Sequence, residues 1–135
     1  MSADAADALM GIFGMKRAGR TVQVWLPWPP SVNHYWGTRG KSRYIGAKGK
    51  AYRLETLSAW NRLRVQGFGH ARLHVAVQAF PPDRRARDLD NLAKCPIDAL
   101  MHARAYADDS QIDRLLIERG EVRKGDAGLL VTITG

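Results

Sequence analysis

The chain is poor in cysteine and, over a long stretch of its N-terminal half, it lacks acid altogether. Its single cysteine, Cys95, excludes an internal disulfide and points away from small disulfide-stapled secreted scaffolds. No histidine or asparagine pattern accompanies that thiol, so there is little ground for a covalent cysteine nucleophile. The apolar segment at residues 9–13 is far short of the ~20 residues needed to cross a bilayer. Lys16, Arg17 and Arg20 follow that segment, whereas a signal peptide places its basic residues first. Neither export nor a membrane anchor is expected, and the reducing cytoplasm is the expected location. Between residues 8 and 54 there is no Asp or Glu, against nine Lys and Arg.

What is present starts with charge. A net +8 and a pI near 10.2 imply an anionic partner, because such a field attracts polyphosphate over about a Debye length. From residue 81 to the end, nine bases meet ten acids, so the carboxylates are concentrated away from the purely basic region. Charge alone describes an ordinary basic protein with a solvated face equally well. The 45% apolar content over 135 residues suits one modest core.

Residues 1–20 read as an N-terminal extension. Within it residues 2–15 suit a short helix, with Ser2 as N-cap and a stripe at Ala6, Leu9, Met10 and Phe13, weakened by Gly11 and Gly14. Residues 21–26 alternate as a strand, stopped by Pro27, Pro29 and Pro30. An irregular loop is expected over residues 31–41. There Asn33, His34, Tyr35 and Trp36 precede Arg39 and Lys41, a mixture able to stack on bases and grip phosphates, or simply to cover a core. A helix is predicted over residues 47–66, its apolar side at Ala51, Leu54, Leu57, Trp60 and Leu63, with Gly67 as its cap. Residues 72–80 have the period of a half-buried strand, with His74 facing away from the core. His34, His70 and His102 show no ligand spacing either.

A second helix is predicted over residues 89–103, kinked at Pro96 or starting later than the pattern suggests, because proline cannot bond back to the Leu92 carbonyl. Residues 111–119 and 129–134 read as two strands of a hairpin. The sum is an α+β fold: a two-layer domain over residues 21–135 with a mixed β-sheet flanked by helices.

Chemistry concentrates in residues 84–94, Arg-Arg-Ala-Arg-Asp-Leu-Asp-Asn-Leu-Ala-Lys. Asp88 and Asp90, where a loop enters a helix, can turn to one point while Leu89 turns into the core. Magnesium takes oxygen ligands, keeps several waters, and is usually held by few protein carboxylates. Lys94, four residues after Asp90, projects from the same side, placed to bind a phosphate oxygen. Arg84, Arg85 and Arg87 put phosphate-binding groups beside the acids. Asp108 and Asp109 offer a further carboxylate if the chain folds back, and composition does not choose between them. Asp98, two turns beyond Asp90 and across Pro96, reads as too distant to share the metal. Each acid also has an ordinary role open to it: Asp88 as an N-cap, Asp90 as a dipole-favoured first-turn acid, Asp90/Lys94 as a surface pair.

The segments Leu26-Pro27-Trp28-Pro29-Pro30-Ser31-Val32-Asn33, Pro82-Asp83-Arg84-Arg85, Asp88-Leu89-Asp90-Asn91-Leu92-Ala93-Lys94, Asp98-Ala99-Leu100 and Asp108-Asp109 resemble, in order and spacing, the RusA family of Holliday-junction resolvases. The likeness runs over residues 22–134. It implies a RusA-like fold and a homodimeric, magnesium-dependent endodeoxyribonuclease, with manganese able to substitute, that resolves four-way DNA junctions by paired nicks in recombination and repair. By position it places the metal-binding aspartates at Asp88, Asp90 and Asp109 and the essential lysine at Lys94. Asn33, Arg39, Lys41, Arg43, Lys48, Arg84, Arg85 and Arg87 are the residues expected to hold DNA. Two departures stand out: residues 1–20 extend beyond the usual start, and Arg104 occupies a place where glycine is expected. The rival readings are a nuclease for flaps or forks, and a basic nucleic-acid-binding protein without catalysis. The source is read as bacterial, prophage or phage.

Overall fold

Period-two patterning builds the main sheet. Val22, Val24 and Leu26 of β1 (Thr21–Pro27), Leu73, Val75, Val77 and Ala79 of β4 (Leu73–Phe80), and Leu129, Val131 and Ile133 of β6 (Gly128–Thr134) fall on one face, where all are buried. The computed structural model describes residues 19–135, so the helix expected at residues 2–15 lies outside the described residues. With β5 (Ile112–Arg119), the strands run in the order β1-β6-β4-β5, antiparallel except for the parallel pair β4/β5. The sheet is therefore mixed, as expected, and Ala59, Trp60, Leu92 and Leu100 from two helices cover its apolar face. Each large side chain so buried contributes ~1.5–3 kcal/mol relative to exposure.

The expected hairpin between residues 111–119 and 129–134 is corrected. Both strands exist, but β4 lies between them, since β6 pairs with β4 and β5 docks on β4's other edge. His74 lies on the face opposite the core, as expected, but that face is not open. It alternates with the core residues, yet it is only 4% exposed, because this central strand has Thr134 on one side and Arg114 on the other.

The loop expected over residues 31–41 is ordered. A one-turn helix α1 (Val32–Tyr35) leads into a separate two-stranded hairpin of β2 (Trp36–Arg39) and β3 (Ser42–Ile45). Gly40, at φ +62°, makes the tight two-residue turn with Lys41, a backbone conformation suited to glycine.

Helix α2 (Ala47–Arg62) buries Gly49, Tyr52, Thr56, Ala59 and Trp60, so of the predicted stripe Trp60 alone is buried. Leu54 is 68% exposed and Leu57 37%, because strict three-residue steps precess around a helix of 3.6 residues per turn. The helix also ends earlier than residue 66, and Arg64, at φ +53°, takes the left-handed position assigned to Gly67. Gly67 serves packing instead, since a Cβ there would lie 2.3 Å from the Arg104 carbonyl oxygen.

Helix α3 (Leu89–His102) starts where the pattern suggests and carries the buried Pro96 inside it. At its end the Arg104 N–H donates to Met101 O (3.1 Å) and the Ala105 N–H to Leu100 O (3.0 Å). These are the two bonds of a Schellman cap. Arg104 holds the left-handed position at φ +67°, which explains why glycine is expected there.

Candidate active site

Helix α3 supplies the scaffold. Positions 90, 94 and 98 differ by four residues, about 40° of rotation each, so Asp90, Lys94 and Asp98 form a shallow spiral along one side. Asp88 occupies the N-cap position with extended backbone, but its side chain makes no cap hydrogen bond, so capping does not consume its carboxylate. Asp90 Oδ1 accepts from the Asn91 N–H at 3.0 Å. Asp88, Asp90 and Lys94 are all exposed.

The chain after α3 folds back. Asp108 caps the 3-10 turn Asp109–Gln111: its Oδ1 accepts from the Ser110 N–H at 2.9 Å, while the Asp108 N–H donates to Gln111 Oε1 at 2.7 Å. Gln111, 5% exposed, also donates through Nε2 to Gly69 O and Ala71 O, 2.8 Å each, which ties the turn to the chain before β4. Asp108 is thus employed in structure, and Asp109 is the member of the pair presented to a cavity of about 360 Å³ whose lining includes Lys94, Asp98 and Trp36.

Electrostatics distinguish the two neighbours. Partial burial, the adjacent Asp108 and the charge of Asp98 push the Asp109 carboxyl above the usual carboxylate range. The Ser110 amide and hydroxyl hold Asp108 below it. Crowded negative charge of this kind is relieved by a cation. Hard oxygen donors of one charge suit magnesium, which needs only one or two protein carboxylates. Among the described residues, however, no three His, Cys, Asp or Glu side chains form a group able to hold a metal by themselves. Asp88 lines a different cavity, beside Pro29, Ser31 and Asn91. Asp90 lines neither cavity, so the three expected metal ligands are not brought together in one group.

Sequence reasoning set Asp98 aside, yet the fold brings it beside Asp109. Its Oδ2 accepts from Arg53 Nη2 at 2.9 Å, from Arg53 Nε at 3.1 Å and from the Tyr35 hydroxyl, and its Oδ1 lies 3.7 Å from His102 Nε2. Burial opposes the Arg53 charge, but the bonds to Tyr35 and Asp98 outweigh it and raise its pKa. Burial, reinforced by the hydrogen bond to Asp98, pushes the Tyr35 phenol well above its ordinary value. The signal that finds Asp98 is the four-residue step from Lys94. Cys95 is fully buried, donates to Pro30 O at 3.6 Å, and burial pushes its thiol up to about 11, which suits packing rather than nucleophilic attack.

The residues expected to hold DNA fall into two groups. Asn33, Arg39, Lys41, Arg43 and Lys48 are exposed on α1, on the hairpin and at the start of α2. Arg43 lies over the Trp36 ring at 4.6 Å, so the root of this arm combines a cation and an aromatic surface. The Trp36 indole N–H is buried with no hydrogen-bond partner among the described residues, a cost of ~1–3 kcal/mol that an arriving acceptor would offset. In the second group Arg84 and Arg85 are exposed. Arg87 is engaged, 2.8 Å from Asp83 Oδ1 and 5.4 Å from the Trp28 ring, so it shapes the loop as much as it offers charge.

A profile of the family described as Endodeoxyribonuclease RusA matches residues 27–134. The crossover junction endodeoxyribonuclease RusA of Enterobacteria phage HK97 is 41% identical over 111 residues, covering 82% of this chain and 92% of that protein. Those of Shigella sonnei (strain Ss046) and Escherichia coli (strain K12) are each 36% identical over 115 residues, 84% of this chain and 94% of theirs. Among the described residues no helix is long and apolar enough to cross a membrane.

Proposed function

The chain belongs to the RusA family of endodeoxyribonucleases, and on that premise we propose that it is a magnesium-dependent crossover junction endodeoxyribonuclease that resolves Holliday junctions by paired nicks. The observation that carries this reading is the cavity in which Lys94, Asp98 and Asp109 meet beneath Trp36, at the root of a cationic hairpin. Asp109 with Asp90 and Asp88 would hold the metal, with manganese able to replace magnesium. When bound, the metal polarises the scissile phosphate and lowers the pKa of its water. Lys94 binds a non-bridging phosphate oxygen and offsets the charge that grows on it during displacement. Arg39, Lys41, Arg43, Lys48, Arg84 and Arg85 hold the backbone on either side, and Trp36 and Asn33 face the bases or sugars near the branch. A homodimer presents two such sites, matching the symmetry of a four-way junction. Residues 21–135 act as one endonuclease domain, residues 1–20 extend it, and the cytoplasm of a bacterial or phage-infected cell is where it works.

The test is a synthetic four-way junction incubated with purified protein in magnesium and in chelator, with Asp90→Asn alongside. Symmetric nicks that need magnesium and vanish in the variant support the reading, whereas an Asp90→Asn protein that cuts normally sinks the assignment. Equal or faster cutting of flaps or forks would transfer the activity to those substrates. A binder without catalysis is the rival favoured by the separation of Asp88 from the Asp109 cavity. It predicts metal-independent binding and no nicks.

A further inference from the structure

We propose that Asp98, Arg53 and Tyr35 form a positioning network that fixes the cationic hairpin over the catalytic cavity. The inference rests on reading that hairpin as the DNA-gripping arm. The need for such a device is visible in the topology. Among the described residues β2 and β3 pair only with each other and join no strand of the main sheet, so sheet registry does not orient them. A two-stranded hairpin is marginal by itself. Residues 38–44 are exposed, so the arm is held at its root rather than along its length.

The root is Trp36, paired with Ile45 across the hairpin and preceded directly by Tyr35. The Arg53 guanidinium sits 5.8 Å from the Trp36 ring and 5.8 Å from the Tyr35 ring, while its Nε and Nη2 both donate to Asp98 Oδ2. Its Nε also lies 3.1 Å from the Tyr35 hydroxyl, which itself donates to the same carboxylate oxygen. One oxygen on the metal-site helix α3 therefore gathers donors from α1 and α2. The Asp98 side chain is 13% exposed and Arg53 23%, so the pair is largely shielded from water, where loss of one partner leaves a costly uncompensated charge.

A small apolar cluster of Tyr35, Tyr52, Cys95 and Ala99 surrounds the network, with Trp36 and Ile45 packed against it. The Gly46 N–H also bonds to Tyr35 O at 2.9 Å, closing the hairpin's return. Asp98 thus lines the cavity without being spent as a ligand. Three donors take its Oδ2, and its place on α3, one turn beyond Lys94, sets the distance between arm and site.

The experiment compares wild type, Asp98→Asn, Arg53→Gln, the double variant and the milder Tyr35→Phe, which keeps the ring. Hydrogen exchange of the amides at residues 38–44 is measured without DNA, junction affinity is measured in chelator, and single-turnover cleavage is measured with enzyme saturating. Asp98→Asn and Arg53→Gln should each speed exchange in the arm and weaken junction binding about tenfold, with the double variant no worse than the weaker single. Tyr35→Phe should shift both in the same direction by about threefold. Cleavage of saturated junction should change by less than affinity does. Unchanged arm exchange and affinity in folded variants would overturn the proposal. So would full binding with cleavage lost, which would make Asp98 part of the metal site instead. A wild type that fails to bind junctions would refute the functional reading and leave the exchange data to judge the network.

Discussion

At the first turn of α3, Asp88 caps nothing and Asp90 accepts from its neighbour's amide, whereas two turns on Asp98 is gripped by Arg53 and Tyr35 and presses its charge on Asp109. The same residue type does different work along one helix. The open end leaves carboxylate oxygens for ligands that arrive with substrate. The crowded end is already arranged, with partners that fix its geometry and a charge density that a cation would relieve. A nuclease needs both, since a site filled entirely by its own side chains has no room for phosphate and water.

The largest effect is expected from removing the proposed ligands at either end. Asp90→Asn and Asp109→Asn should each lower cleavage in magnesium by at least ~1,000-fold while junction binding in chelator persists. Loss of binding alongside cleavage would mean that these acids serve the fold. Next comes the anchor of the crowded end. Leu100, 1% exposed in the main core, fixes the last turns of α3 to the sheet, and Leu100→Ala should cost about 2–5 kcal/mol in urea denaturation.

Arg104→Gly should act in the opposite sense. It removes a left-handed arginine from the cap of α3 and should stabilise by about 1 kcal/mol, with little change in cleavage. On the cationic side, Arg84→Ala should weaken junction binding uniformly and reduce the slope of log affinity against log salt by about 1.

The smallest effect is a pH signature. Because the folded-state carboxyl of Asp109 is raised, its contribution to stability is present below the unfolded value and is lost as pH rises through the folded one. At neutral pH it is therefore a cost, so Asp109→Asn should raise the thermal midpoint at pH 7 and lose that advantage near pH 3. Asp108→Asn removes the neighbouring carboxylate and should move the acid limb of manganese binding, followed by calorimetry, to lower pH. A midpoint for Asp109→Asn below wild type at pH 7 would contradict the assigned crowding.

Strands β1, β4 and β6 were legible because alternation of Val, Leu and Ile needs only local sequence. The acid-bearing turn of α3 was legible because carboxylates, arginines and a lysine crowd into residues 84–94. The buried side of α2 was not, because Gly49, Thr56 and Ala59 are small or polar and invisible to a search for apolar repeats. Nor was the partner of β6, since the insertion of β4 between β5 and β6 is set by pairing between distant segments. The arm escaped notice because Trp36–Arg39 and Ser42–Ile45 lack clean alternation, and only the Gly40-Lys41 turn marks them. Spacing left Asp108 and Asp109 equivalent, whereas the fold gives Asp108 to the cap and turns Asp109 to the cavity.

The most direct measurement is cleavage of a labelled four-way junction by the purified 135-residue chain, with both strand pairs resolved, in magnesium and in chelator. Two symmetric nicks are expected in magnesium, none in chelator, and binding in both. Cutting that proceeds unchanged in chelator, or binding without nicks in magnesium, would contradict the proposed function.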